Sequence, residues 1–194
     1  MRPFSSVAAS RAEVGEQRPG DDIVVPADVV MDRAFTVTGT PELVFPWIRQ
    51  LGKGRAGWYL PRSVERYLPK RRRALRRIEP RWQHLRPGDI VPDYGGAKET
   101  FTVESIEVPH SLVYRSQRGR ALISWSILLR PVDAGVGDHT RVLLRLRVGA
   151  VRRPWLVRTA GEALDVLTIT AMAAGLAERL YDASSREASC EQGR

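Results

Sequence analysis

The chain has 194 residues, 43% of them hydrophobic, with a formal net charge of +9; this suits one domain with a real core and is short for two. A single cysteine, Cys190, excludes an internal disulfide, and three scattered histidines, His84, His110 and His139, exclude a Cys/His zinc site. The positive balance leaves an anionic partner open, to be judged by where the basic residues lie.

Residues 1–19 are polar, small or charged without apolar periodicity, and read as a flexible N-terminal tail. They lack the apolar run of a secretory signal. The most apolar window, ALDVLTITAMAAGLA from Ala163, is shorter than a bilayer span and holds Asp165, so a cytoplasmic protein is expected. RAFTVT, Arg33 to Thr38, alternates Phe35 and Val37 with polar neighbours and predicts a strand.

Thr40-Pro41-Glu42 starts a helix with an N-cap hydroxyl, a proline at the first helical position and an acid at the positive end. Val44, Trp47, Ile48 and Leu51 follow at i, i+3, i+4 and i+7, with Pro46 expected to kink the second turn and Gly52 as a left-handed stop.

The next stretch, LGKGRAGWYL, has the glycine spacing of a dinucleotide loop at Gly52, Gly54 and Gly57. That loop needs a strand before it and a helix after it. Here a helix precedes, and Trp58-Tyr59-Leu60-Pro61 follows, so the glycines serve tight turns instead. Trp58 and Tyr59 then occupy a non-helical loop, where a lid or mouth is built.

From Gly52 to Arg86 there are twelve Lys or Arg against Glu65 and Glu79, whereas the rest of the chain carries 19 basic and 20 acidic residues. The excess therefore sits in one segment, and its densest part is PKRRRALRR, with Lys70, Arg71, Arg72, Arg73, Arg76 and Arg77. Such a run contacts phosphates or simply faces water. No reading helix or aromatic stacking sheet accompanies it.

A turn on Pro87-Gly88-Asp89 leads into a short strand, and ETFTVESIEV follows. There Phe101 and Val103 share one face while Ile106 and Val108 share the other, a phase slip that predicts a bulge. SLVYRS is a further strand. ALISWSILLRP and TRVLLRLRVG alternate cleanly: Ile123, Trp125, Ile127 and Leu129 in one, and Val142, Leu144, Leu146 and Val148 in the other, opposite a largely polar face with Arg141, Arg145 and Arg147. DAGVGDH joins them as a hairpin loop.

The last element, Gly161 to Tyr181, carries Leu164, Leu167, Thr168, Ala171, Gly175 and Leu180 at helical spacing, with Met172 and Leu176 alongside. Residues 184–194 read as a flexible C-terminal tail. Strands followed by a terminal helix predict an α+β domain over residues 20–183.

The runs FTVTGTPELVFPWIRQLGKGRAGWYLPRSVERYL and RIEPRWQHLRPGDIVP, the Trp-Ser strand, the TRVLLRLR strand and the helix ending GLAERL resemble the actinobacterial branch of the SRPBCC superfamily, the START-like and polyketide-cyclase-like helix-grip group. The resemblance covers about residues 20 to 183. It implies a curved antiparallel sheet wrapped around a long C-terminal helix, enclosing a cavity for a hydrophobic or amphipathic molecule, lipid-like or polyketide-like. It calls for no cofactor and no metal. The basic 69–77 segment departs from the polar linker the resemblance leads one to expect.

Candidates for the cavity are Trp47, Arg55, Trp58, Tyr59, Glu65, Trp82, Gln83, Tyr94, Trp125 and Met172, against the stronger general expectation that any one of them fills the core or braces a loop; Trp58 and Tyr59 are the best placed for a cavity. Arg55 is expected to pair with Glu65. Two alternatives stand beside ligand binding. One is a cyclase or dehydratase, which works by proximity and an acid or base rather than a fixed triad. The other is docking of the basic loop on nucleic acid or an anionic surface.

Overall fold

The computed structural model describes residues 7–96, 98–133, 138–151 and 154–191. Its elements are α1 (Arg11–Gly15), β1 (Val29–Thr38), α2 (Pro41–Gln50), α3 (Arg62–Glu65), β2 (Ile90–Pro92), β3 (Thr100–Glu107), β4 (Ser111–Arg118), β5 (Ala121–Asp133), β6 (Asp138–Gly149) and α4 (Pro154–Glu191), with single 3-10 turns at Lys70–Arg72 and Pro80–Trp82. The six strands form one antiparallel sheet in the order β1-β6-β5-β4-β3-β2. α2 and α4 lie on its inner face, giving the α+β helix-grip architecture.

The alternation of the strands sets which residues face the helices. Met31, Leu146, Trp125, Tyr114 and Val103 stand side by side across the sheet, and Arg33, Leu144, Ile127 and Leu112 form the next row. The expected bulge falls between Val103 and Ser105. It restores Ile106 to the core side after the phase slip.

The outer face is not left to water as the arginines of β6 lead one to expect. Residues 7–28 wrap around it: Val7 accepts the Ala34 N–H at 2.9 Å along the free edge of β1, and on the outer face Arg145, buried, reaches Asp32 at 2.7 Å and Asp21 at 2.8 Å. Arg18 is buried against Asp32 at 3.2 Å. A tail without apolar periodicity thus finds its place through charge pairing, a pattern invisible to a hydrophobic count.

α1 is tied down by Glu13, which accepts from Arg141 at 2.8 Å while Ser10 and Glu13 close a reciprocal capping box. The Arg141 hydrogen bond, helped by Ser10, pulls the Glu13 carboxyl from 4.5 down to about 2. A carboxylate depressed on folding contributes above its unfolded value and stops contributing as pH falls through the folded one. Hydrogen exchange should therefore show residues 7–19 losing protection between pH 4.5 and 2 while β5 and β6 stay protected. Glu13→Gln should show the same loss at neutral pH. Equal protection in that variant would remove the tether.

Local expectations for α2 are met in part. The helix runs from Pro41 with Pro46 inside it. Thr40, however, accepts no backbone N–H as a cap; its hydroxyl donates instead to the Glu42 carboxylate, which it holds below the ordinary range. α4 is longer than predicted at both ends and its buried face is set differently: Ile169, Met172, Ala173, Leu176 and Leu180 are buried, whereas Leu164 and Leu167 are 63% and 68% exposed. The apolar stripe of the sequence mixes two faces of the helix, and only the neighbours select one. No helix among the described residues is long and apolar enough to cross a membrane.

Candidate functional site

The inner face of the sheet divides into two halves. Under the second half of α4 it is filled: Phe35, Leu144, Ile127 and Leu112 meet Ile169, Met172 and Leu176 in one buried cluster. Under the first half, Val29, Met31, Ile123 and Val148 form a separate cluster, edged by Phe101, Leu146 and Val151. Phe101, Trp125 and Leu146 face inward from the sheet, yet all three are only partly buried. Phe101 and Trp125 pack against the main cluster on one side and remain accessible on the other, which makes this end of the curved face the candidate concavity.

Aromatic rings line that concavity. Trp125 stacks on Tyr114 with centroids 5.6 Å apart and on Trp58 at 6.2 Å. Phe101 tilts against Tyr114 at 5.9 Å and Trp125 at 6.0 Å. Tyr94, exposed, meets the edge of Trp58 at 6.2 Å.

Trp58, like Tyr94, comes from outside the strands, and the glycine loop is what aims it. Gly52 and Gly57 exchange backbone hydrogen bonds at 3.3 and 3.0 Å. Both have positive φ, and a Cβ on Gly57 would stand 3.0 Å from the Ala74 Cα, so the ring closes only with glycine there. The indole N–H of Trp58 then donates to the Thr168 carbonyl of α4 at 3.3 Å.

Two polar groups stand behind the rings. The Tyr114 hydroxyl makes no hydrogen bond among the described residues, and burial pushes its pKa far up, only partly countered by Arg55, so it is a proton donor at any ordinary pH. Arg55 is half-buried. Its guanidinium donates to the Arg49 and Trp82 carbonyls, both at 2.9 Å, and lies 4.8 Å over the Trp82 ring. Burial lowers its pKa, with Tyr114 and Asp89 opposing. Among the described residues no carboxylate lies within ion-pair distance of it.

The expected Arg55–Glu65 pair is thus corrected. Glu65 is buried on α3, which faces α4, and takes Arg179 at 2.6 Å and Arg76 at 2.8 Å. The glycine loop turns Arg55 the other way, toward carbonyls of α2 and of the Pro80–Trp82 turn. Sequence spacing carries no information on which side of a loop an arginine leaves.

The other candidates are dispersed. Tyr59, expected at the mouth, is fully buried; its hydroxyl donates to the Trp47 carbonyl at 2.8 Å and its ring packs against Trp47 and beneath Arg179. Alternate residues of the loop point to opposite sides, so Trp58 reaches the concavity and Tyr59 the core. Gln83 donates to the Pro46 carbonyl at 3.1 Å, and Met172 is buried in the core. Asp89 holds its turn by accepting the Arg86 N–H at 2.8 Å.

Three contributors escaped the sequence reading. Phe101 and Tyr114 were legible only as strand residues. Arg33 shares parity with Phe35 and Val37 and so faces inward, where it meets Asp165 of α4 at 2.9 Å. Burial raises the Asp165 pKa, with Arg33 pulling it back. The aspartate inside an otherwise apolar helix window was the available signal.

A second hollow of about 450 Å³ lies between α2 and the C-terminal half of α4, walled by Leu43, Pro46, Trp47, Ile78, Leu180 and Tyr181. Of the cavity candidates, Trp47 alone lines it. Among the described residues no group of three or more His, Cys, Asp or Glu could hold a metal ion.

In the basic segment, Arg76 is drawn inward to Glu65, Glu178 at 3.1 Å and Asp182 at 3.4 Å, and Arg73 donates to the Leu68 and Arg66 carbonyls. Arg77 pairs with Glu79 at 3.2 Å. Lys70, Arg71 and Arg72 face solvent.

No protein-family model matches the chain, and no curated protein matches it significantly. Solved structures do resemble it. The hypothetical protein jhp0584 from Helicobacter pylori superposes with a TM-score of 0.51 at 15% identity, over 92% of this chain and 98% of that one. CalU16 from Micromonospora echinospora reaches 0.41 at 16% identity, over 80% and 86% of the two chains. DynU16, described as a putative protein in the dynemicin biosynthetic locus, reaches 0.47 at 14%, over 80% of this chain and 48% of that one. At such identities the likeness is one of fold alone.

Proposed function

We propose that this protein binds a hydrophobic or amphipathic small molecule, lipid-like or polyketide-like, whose flat apolar part lies against Trp58 and Trp125 and whose polar oxygen turns to the Tyr114 hydroxyl. The supporting observation is the partial accessibility of Phe101, Trp125 and Leu146 on the inner face of the sheet, beneath the first half of α4. Covering such surface contributes about 25 cal/mol per Å² before the cost of ordering the ligand. The helix-grip architecture and the resemblance of the sequence to polyketide-cyclase-like proteins support the same reading.

The test is extraction of purified protein into organic solvent under denaturing conditions, followed by mass spectrometry. Wild type should release a retained compound, and Trp125→Ala should release at least tenfold less while keeping its fold by circular dichroism. Anilinonaphthalene sulfonate, a flat amphipathic probe, should bind wild type and bind the variant more weakly by a similar factor. An empty protein that also shows no thermal shift with a panel of lipids and aromatic polyketides overturns the proposal.

A second reading, a cyclase or dehydratase acting on a polyketide-like chain, draws on Tyr114: a buried phenol that stays protonated and has no hydrogen-bond partner among the described residues donates to a substrate carbonyl as negative charge grows there. Tyr114→Phe would then abolish turnover of a bound substrate while leaving its affinity within a few-fold. Turnover unchanged in that variant removes the reading.

A further inference from the structure

The basic excess found in the sequence is not used by the ligand site. In the fold it separates into two populations. Arg76 and, through Glu65, Arg179 are turned inward to carboxylates. Lys70, Arg71 and Arg72 are turned outward and meet no carboxylate within 4.0 Å among the described residues. Arginines of the sheet and of the segment that covers it are treated differently: Arg18, Arg33, Arg118, Arg130, Arg141 and Arg145 each contact Asp or Glu.

Beside these cations the chain exposes apolar groups. Val64 and Tyr67, three apart around α3 and its last turn, are 44% and 76% exposed. Arg66 lies over the Tyr67 ring at 4.6 Å and donates to its hydroxyl at 2.6 Å, which directs the ring outward with a cation against it. The support beneath is rigid. Arg179 binds the carbonyls of Leu60, Ala74 and Leu75 as well as Glu65, which fastens both ends of the excursion to α4.

From this arrangement we infer that residues 62–73 form a docking surface for an anionic lipid bilayer. Tyr67 and Val64 enter the headgroup layer, and Lys70, Arg71 and Arg72 attract its negative charge. An amphipathic ring flanked by cations suits the membrane–water boundary. Nucleic acid is less well matched, since one tyrosine offers no succession of stacking rings and no helix of groove-reading length is present in the segment. The inference stands apart from the ligand-binding proposal, because none of these side chains lines the aromatic concavity.

Flotation of the purified full chain with vesicles tests it. Vesicles of phosphatidylcholine with one-third phosphatidylglycerol should carry the protein up, with binding that weakens as salt rises, and vesicles of phosphatidylcholine alone should not. The triple variant Lys70→Ser, Arg71→Ser, Arg72→Ser should lose about 100-fold in partitioning, from roughly a factor of five per charge. Tyr67→Ser should lose several-fold at every salt concentration without changing the salt slope. Thermal melts of all variants should match wild type, since the altered side chains point away from the fold. Equal binding to neutral vesicles, full binding by the triple variant, or displacement of the protein from vesicles by duplex DNA or single-stranded RNA at equal charge would overturn the inference.

Discussion

Glu65→Ala should destabilise the protein by about 3–5 kcal/mol, because it leaves the Arg179 guanidinium charged, fully buried and without a counterion. Four carbonyls, of Leu60, Ala74, Leu75 and Gly175, would still accept from that arginine. They offset part of its desolvation but supply no net negative charge. Urea unfolding of wild type, Glu65→Ala, Arg179→Met and the double variant should give a coupling energy of at least about 1 kcal/mol, as expected for residues in one network. Additive effects would show that the pair is incidental to folding. The single variant should also loosen the loop that carries Trp58, because Arg179 holds the Leu60 carbonyl two residues further on.

Gly175→Ala should also destabilise, by about 2 kcal/mol, against the direction of helix propensity, which favours alanine by roughly 1 kcal/mol. A Cβ at this position would stand 2.7 Å from the Leu60 N, the Leu60 carbonyl carbon and the Tyr59 carbonyl carbon. These are backbone atoms, so no rotamer change relieves the contact. α4 and the Trp58-Tyr59-Leu60 segment must move apart. The Trp58 N–H would then draw away from the Thr168 carbonyl, and binding of the flat probe should weaken together with stability. A midpoint unchanged or raised by the substitution would refute this close approach.

These two sites show how unevenly the structure was legible. The strands on either side of the β5–β6 hairpin could be read because alternation is a local property of the chain: each side chain's face follows from its parity. The bulge at Val103 was visible for the same reason, as a break in parity. Residues 134–137 of the connecting loop lie outside the described residues, as does the side chain of Cys190. The terminal helix was visible as apolar spacing, but its buried face was misjudged at Leu164 and Leu167, since helical spacing alone does not say which neighbours arrive.

The candidate site was legible only in fragments. Trp58, Tyr94 and Trp125 were singled out and do come together, while Phe101 and Tyr114 complete the cluster from strands whose chemistry looked ordinary. Tyr59 looked like its neighbour Trp58 and went to the core. Arg55 and Glu65 looked like a pair and found other partners.

The amino-acid sequence by itself determined the order of the sheet strands, α2 and α4, the inward face of the long strands, the glycine turns at 52–57 and the concentration of positive charge between Gly52 and Arg86. Each of these depends on parity, on φ or on composition, which a local stretch of chain carries. Tertiary structure alone decided that Arg179 takes Glu65, that residues 7–28 cover the outer face and that Phe101, Trp125 and Leu146 stay partly accessible on the inner one. Those outcomes depend on which distant groups meet. Charge pairing and the filling of space are settled among residues such as Glu65 and Arg179, 114 positions apart, and no local pattern encodes them.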